Sequence, residues 1–259
     1  FGALATVHIP ADMRAQLQRS LVRSHAAGSG PEVEREVVRA LMLLRIQTLA
    51  TGHTGVRPAT LDLYVAMLNA GITPVVHEYG SLGCSGDLAP LAHCALALMG
   101  EGMVRTKTGD LVESAAALAD AGLTPVELVE KEGLALINGT DGMLGQLCLA
   151  IHDATMLFTV ADLAGAMSVE GLLGTDAAFA DDLMALRPHP GQAVSARNMS
   201  AVLAGSPIQD SHRDPHACTR VQDAYSLRCS PQVAGAGRDT LAHVTLVARR
   251  ERGWAGGKP

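Results

Sequence analysis

Aromatic residues are scarce: three phenylalanines, three tyrosines and one tryptophan make up 3% of 259 residues. A basic excess is missing as well, with 20 Lys and Arg against 26 Asp and Glu and a formal net charge of −6. A nucleic-acid binder needs a basic footprint and often stacking platforms, so the composition speaks against that class. Cysteine is sparse and unpatterned. Cys84, Cys94, Cys148, Cys218 and Cys229 are odd in number, widely spread and without a CxxC pair, which reads as a reduced intracellular chain and not a disulfide framework. No signal peptide is visible. His152, Asp153, Asp162 and Glu170 interrupt the longest apolar stretches before they reach membrane-spanning length. The expectation is a soluble, cytoplasmic protein with no membrane partner. Apolar residues, by contrast, are plentiful at 48%, and with a modest net charge they argue against disorder. The length allows one large domain or two small ones, with a substantial core.

Helical punctuation dominates. Val33, Val37, Leu41 and Leu44 recur at helical spacing from Pro31 to Ala50, and Thr51-Gly52 supplies a stop. Met13, Leu17 and Leu21 form a stripe in Ala11–Ser24. Leu61–Asn69 ends at Ala70-Gly71, and Leu88–Met99 ends at Gly100. Thr140–Leu173 is apolar on most faces, which predicts a helix at the centre of a bundle. Asp181–Leu186, Gln192–Leu203 and Val233–Arg249 also read as helices. Met103–Arg105 and Leu111–Val112 flank a turn at Lys107–Asp110, a small hairpin. Met13, Met42 and Met67 fit helix stripes and read as core. The expected class is mainly α, with one small hairpin.

Three stretches rich in glycine and polar residues break this pattern: Glu78–Asp87, Leu136–Gly142 and Val221–Cys229. Loops between packed helices are where functional groups usually sit, although each could be a helix cap. In the first, Asp87 directly precedes an apolar helix and can cap it, so the helix N-terminus would favour an electrophile or an anion. The spacing fits neither a Walker nor a Rossmann pattern.

Gly80-Ser81-Leu82-Gly83-Cys84-Ser85-Gly86-Asp87-Leu88-Ala89-Pro90-Leu91 resembles the signature of the histidine and aromatic amino acid ammonia-lyases. In that family an internal X-Ser-Gly tripeptide condenses with its own backbone into 4-methylidene-imidazol-5-one (MIO). The resemblance implies that Cys84, Ser85 and Gly86 form this group, with no metal. The Gly86 nitrogen must reach the carbonyl two residues earlier, which demands a tight turn and no β-carbon. Ser85 then loses its hydroxyl as water. The first ring residue is most often Ala in the family; here it is Cys84, whose side chain hangs outside the ring.

The remaining site residues follow from the same resemblance. Ser24-His25 resembles the family's substrate-selecting pair in histidine-specific members, and His25 could hydrogen-bond an imidazole substrate; a histidine satisfied by a backbone carbonyl is the alternative. Asn138 in Ile137-Asn138-Gly139-Thr140 resembles a second motif and suits the prosthetic-group carbonyl or the substrate carboxylate, or equally a helix cap. There the commonest family form continues with Gln, whereas this chain has Asp141. Gln222–Cys229 with Pro231-Gln232-Val233 resembles a third block. It implies Arg228 as the bidentate partner of the substrate carboxylate, Tyr225 beside the reacting carbons and Gln222 as an orienting group; a solvated helix face is the ordinary alternative for Arg228. His212, His216 and Cys218 invite a zinc reading, but Pro215 breaks the register and no fourth ligand is evident. His77, His93, His152 and His243 read as structural or surface histidines.

The resemblance runs from Phe1–Ala5 to about Val247, so residues 1–250 read as a partial lyase domain and 251–259 as a divergent tail. In the family a tyrosine upstream of Phe1 is the usual base, and a later Phe-bearing block and a Glu complete the pocket. The family's fold is a long-helix bundle in homotetramers. The implied reaction eliminates ammonia from L-histidine to give urocanate. The alternatives are a phenylalanine or tyrosine ammonia-lyase, an aminomutase with the same group, or an inactive fragment acting only as a helical assembly piece.

Overall fold

A computed structural model describes residues 6–84, 86–214 and 216–253. Phe1–Ala5, Ser85, Pro215 and the end of the tail from Trp254 lie outside the described residues. The chain divides into two units, residues 1–147 with 250–259, and residues 148–249.

In the first unit, a 3-10 turn at Ala11–Met13 leads into α1 (Arg14–His25), followed by β1 (Ser29–Glu32), α2 (Arg35–Ala50) and α3 (Pro58–Ala70). Then come β2 (Thr73–Pro74), β3 (His77–Tyr79), α4 (Leu88–Leu98), β4 (Met103–Arg105), β5 (Leu111–Glu113), α5 (Ser114–Asp120) and α6 (Glu132–Ile137). The helix α7 (Asp141–Gly171) starts here and runs into the second unit. The expected hairpin forms as β4–β5 and gains β2 as a third antiparallel strand. A second sheet, β1 against β3, replaces the helical start expected at Pro31. All four β1 residues are exposed, so no alternation of burial marked it as a strand.

α4 is apolar all round, and Ala89, Leu91, Ala92, Cys94, Ala95 and Leu98 are among its buried residues, as expected of a helix inside a core. α1 and α6 pack against it. Pro90 falls in the first turn, where its missing N–H leaves no bond unmade. Met42 and Met67 are in the core, but Met13 precedes α1 and is exposed, because the helix begins one residue after it. α3 ends at Gly71 with φ 74°, where a β-carbon would come 2.8 Å from Lys107 Cβ. Only glycine suits both constraints.

One buried acid ties α6 to α3. Glu132 accepts from Arg57 Nη2 at 2.8 Å, from the Arg57 and Val129 backbone amides at 2.9 and 3.0 Å, and from Thr60 Oγ1 at 2.8 Å. Burial pushes its carboxyl up, but these donors, Arg57 foremost, outweigh burial and hold it below its ordinary value.

The second unit holds most of α7, a 3-10 turn at Asp176–Phe179, α8 (Asp181–Ala185), α9 (Pro190–Leu203), α10 (Pro207–Ser211), α11 (Tyr225–Arg228) and most of α12 (Ser230–Arg252). Its core gathers Ala166, Val169, Phe179, Met184, Met199 and Leu203. Arg238 of α12 donates to Asp162 at 2.5 Å, to the Phe158 carbonyl at 2.9 Å and to Ser195 of α9 at 3.0 Å, so one guanidinium ties three helices. The placement of α7 corrects the expectation of a bundle-centre helix. Within this chain Asp162, Ala166 and Val169 are buried, while Met156, Leu157, Val160, Leu163 and Met167 are exposed. The charges on this helix are also too widely spaced to break its apolar run. Glu132–Gly171 is long and apolar enough, by length and composition, to cross a membrane.

Glu132→Gln is expected to destabilise the first unit by about 2 kcal/mol, as a charged, multiply bonded acceptor is lost. A group whose native pKa is depressed stabilises above its unfolded value and loses that contribution as pH falls. Urea unfolding of both forms across pH should therefore show the gap shrinking below the ordinary value of 4.5.

Candidate active site

β3 delivers the chain into the glycine-rich loop. Gly83 and Cys84 adopt left-handed φ values of 67° and 59° in succession, and the Leu82 N–H donates to the Gly86 carbonyl at 3.0 Å. Cys84 is exposed, and a non-glycine residue in this conformation carries about 1 kcal/mol of strain that its surroundings must hold. A β-carbon on Gly86 would collide with the Gly83 carbonyl and lie 3.0 Å from Leu82 Cβ. The backbone is thus folded tightly on itself around the Cys84–Gly86 segment. Ser85 is outside the described residues.

Asp87 does not cap α4 as expected, since its side chain makes no bond to that helix end. Fully buried, it accepts Ser81 Oγ–H at 2.5 Å through one oxygen and the Met143 N–H at 2.9 Å through the other. Its partner is therefore the N-terminus of α7, whose unpaired amides and dipole favour a carboxylate. The loop is held at both its ends: Ser81 near its start and Asp87 at its finish share one hydrogen bond, and α7 anchors the pair.

Immediately before α7 lies the second glycine-bearing turn. Asn138 is 8% exposed, and its buried Oδ1 has no hydrogen-bond partner. It therefore makes no cap through that oxygen, and the acceptor remains available. Arg45, on the buried stripe of α2, donates to Asp141 at 2.8 Å and also to the Ala135 carbonyl. Thr48 donates to the other Asp141 oxygen at 3.1 Å. One guanidinium thus joins the end of α6 to the start of α7 and brackets Asn138–Thr140. Asp141, which departs from the common Gln, is the counter-charge that makes a buried arginine tolerable at this position.

His25 closes α1. Its Nδ1 is 2.9 Å from the Leu21 carbonyl, which only accepts, so Nδ1 carries the hydrogen and Nε2 is the acceptor of the neutral ring. The backbone-satisfied reading accounts for Nδ1 and leaves Nε2 able to accept. Beyond it, Ser29 pairs with Tyr79 and Glu32 with His77, so the segment after His25 is laced to the strand before the loop. A β-carbon on Gly80 would stand 3.3 Å from Gly28 Cα.

The third block lies in the second unit. Arg228 Nη1 donates to Gln222 Oε1 at 2.6 Å, and Tyr225, the first residue of α11, is exposed. Between them Asp223 is buried, accepting the Thr175 N–H at 2.7 Å and Arg220 at 3.3 Å. Among the described residues no group of three or more His, Cys, Asp or Glu side chains could hold a metal ion.

Sequence reasoning missed Arg45, Thr48 and Asp223. Arg45 carried a signal: it falls three or four residues from Leu41, Met42, Thr48 and Leu49, all on the buried face. A charge on an apolar stripe needs a buried counter-charge.

The sequence model of the family described as aromatic amino acid lyase matches residues 1–253, and the chain belongs to that family. Histidine ammonia-lyases of Streptomyces avermitilis and Streptomyces griseus are each 64% identical over 251 residues, covering 97% of this chain and 49% and 48% of their own. The chain thus spans about half the length of the curated relatives it matches. Among solved structures, histidine ammonia-lyase from Trypanosoma cruzi aligns with TM-score 0.86 at 34% identity, over 99% of this chain and 47% of its own. Tyrosine aminomutase from Streptomyces globisporus aligns with TM-score 0.90 at 40% identity, over 100% of this chain and 52% of its own.

Asp141→Asn is expected to cost about 3 kcal/mol, because it removes the buried carboxylate charge to which Arg45 donates. Adding Arg45→Met should recover part of that loss in chemical denaturation, so the two effects will not add.

Proposed function

We propose that this chain supplies part of the active site of an enzyme that eliminates ammonia from L-histidine to give urocanate, using MIO formed from Cys84, Ser85 and Gly86. The observation that carries the reading is the turn at Leu82–Gly86. There consecutive left-handed residues and a glycine without room for a β-carbon bring the backbone back on itself. Closure of the ring joins the Gly86 nitrogen to the Cys84 carbonyl carbon and releases one water; loss of the Ser85 hydroxyl releases the second. The orphaned, buried Asn138 Oδ1 supports a hydrogen-bond donor being held beside that side chain. When present, the ring supplies an electrophilic methylene that makes the substrate nitrogen easier to expel.

Residues of this chain supply part of the rest. His25 Nε2 accepts the N–H of a substrate imidazole, with Nδ1 locked on Leu21. Arg228 offers a planar fork to the substrate carboxylate, and Gln222 orients that fork by accepting one of its hydrogens. Tyr225, near the reacting carbons, assists ring formation or handles a proton. A histidine at position 25 and the curated histidine ammonia-lyases at 64% identity favour histidine over phenylalanine or tyrosine. The aminomutase structures at 40% identity keep one rival reading in play, in which the amine returns to the neighbouring carbon.

We further propose that residues 1–250 form one partial lyase domain with a divergent tail, in a soluble, cytoplasmic homotetramer. The uncovered apolar side chains of α7 support an assembly face. Asp162, buried in the middle of that helix against Arg238 and Asn198, speaks for protein neighbours over lipid.

The full-length protein supplied with L-histidine should release ammonia and accumulate the ultraviolet absorbance of urocanate, and Gly86→Ala should abolish both. Cinnamate from phenylalanine without urocanate from histidine, or a β-amino acid without ammonia, would sink the histidine assignment.

A further inference from the structure

Two histidines outside the proposed chemistry grip the segment that follows His25. The Gly28 N–H donates to His93 Nε2 at 3.2 Å, across 65 residues. That nitrogen must be bare to accept, so the neutral ring carries its hydrogen on Nδ1. His77 lies edge-on to His93 with ring centroids 5.5 Å apart, and its own Nδ1–H donates to the Gly30 carbonyl at 2.9 Å. There is no slack: a β-carbon on Gly28 would stand 3.0 Å from His93 Nε2 and 3.4 Å from His77 Cβ.

The placement of these rings gives the contact its meaning. His77 is in β3, the strand entering the Gly80–Asp87 loop, and His93 is in α4, the helix leaving it. Gly28 is three residues after His25, and a tight turn, Ala27 N–H to the His25 carbonyl at 2.8 Å, transmits its position. We infer that His93 is a positioning residue: through the Gly28 amide it sets His25, and with it the substrate imidazole, at a fixed place relative to the Cys84–Gly86 turn. This role rests on the histidine reading above.

The surroundings keep His93 able to accept. Burial, and then the neighbouring His77, lower its pKa. Glu32 of β1 faces His77, and Arg105 of β4 holds Glu32 at 2.7 Å. The carboxylate is thereby engaged by the arginine.

The test compares His93→Leu, which keeps bulk and loses the acceptor, with His93→Gln, which keeps an acceptor, in the full-length protein. Expected for His93→Leu is a rise in KM for L-histidine of about tenfold with kcat within about twofold, the size of one lost hydrogen bond. Amide exchange at Gly28 should quicken as well. His93→Gln should restore both. The mass of the peptide carrying residues 80–88 should match wild type in each variant, which separates positioning from failed ring formation. An unmoved KM, equal losses in kcat for both variants, or unchanged exchange at Gly28 overturns the role while leaving the function intact. A wild-type protein that turns over no histidine overturns the function and this role with it.

Discussion

A buried carboxylate shared between a hydroxyl and a helix terminus is the constraint on which the site depends. Asp87 takes one hydrogen bond from Ser81, inside its own loop, and one from the first turn of α7. The loop cannot move against α7 without leaving a fully buried acid unsatisfied, and that penalty exceeds what any single loop contact supplies. This anchoring is what lets Gly83 and Cys84 stay in a left-handed pair whose second member would otherwise relax. Strain is held where the surrounding structure over-determines it.

The first turn of α7 is accordingly a junction. Asp87 reaches it from the glycine-rich loop, Asp141 opens it, and Arg45 and Thr48 of α2 hold Asp141 in turn. Two carboxylates at one helix N-terminus repel each other, yet each finds donors of its own and both gain from the terminal amides. Asn138 lies just upstream with its acceptor oxygen free. The turn that bears it is bracketed on both sides by one guanidinium.

Much of the helical framework was legible in the residues, and its failures have physical causes. α3 and α4 could be read from apolar spacing and a terminal glycine, because local periodicity and αL caps are local facts. β1 could not, since Ser29–Glu32 is exposed throughout and becomes a strand only by pairing with His77–Tyr79, far along the chain. The burial of α7 was misjudged for a related reason: hydropathy reports what a helix would bury, not which partners this chain brings to it. Within the site, the glycine-rich turn was readable because Gly80–Leu91 resembles the family signature, whose ring closure needs a glycine at position 86. The partner of Asp87 was not, because two helix N-termini compete for that carboxylate and sequence order favours the wrong one. Arg228 and Gln222 lie close enough in sequence to be linked in advance, whereas the bond of His93 to Gly28 joins residues that nothing local connects.

The proposed electrophile is made from the backbone of the Asp87-anchored turn itself. Accurate mass of the proteolytic peptide spanning Ser81–Leu88 tests it without recourse to turnover or to any choice of substrate. A peptide lighter than its sequence by two waters, with the loss confined to Cys84–Gly86, is the predicted result. A peptide of unaltered mass from folded protein would contradict it.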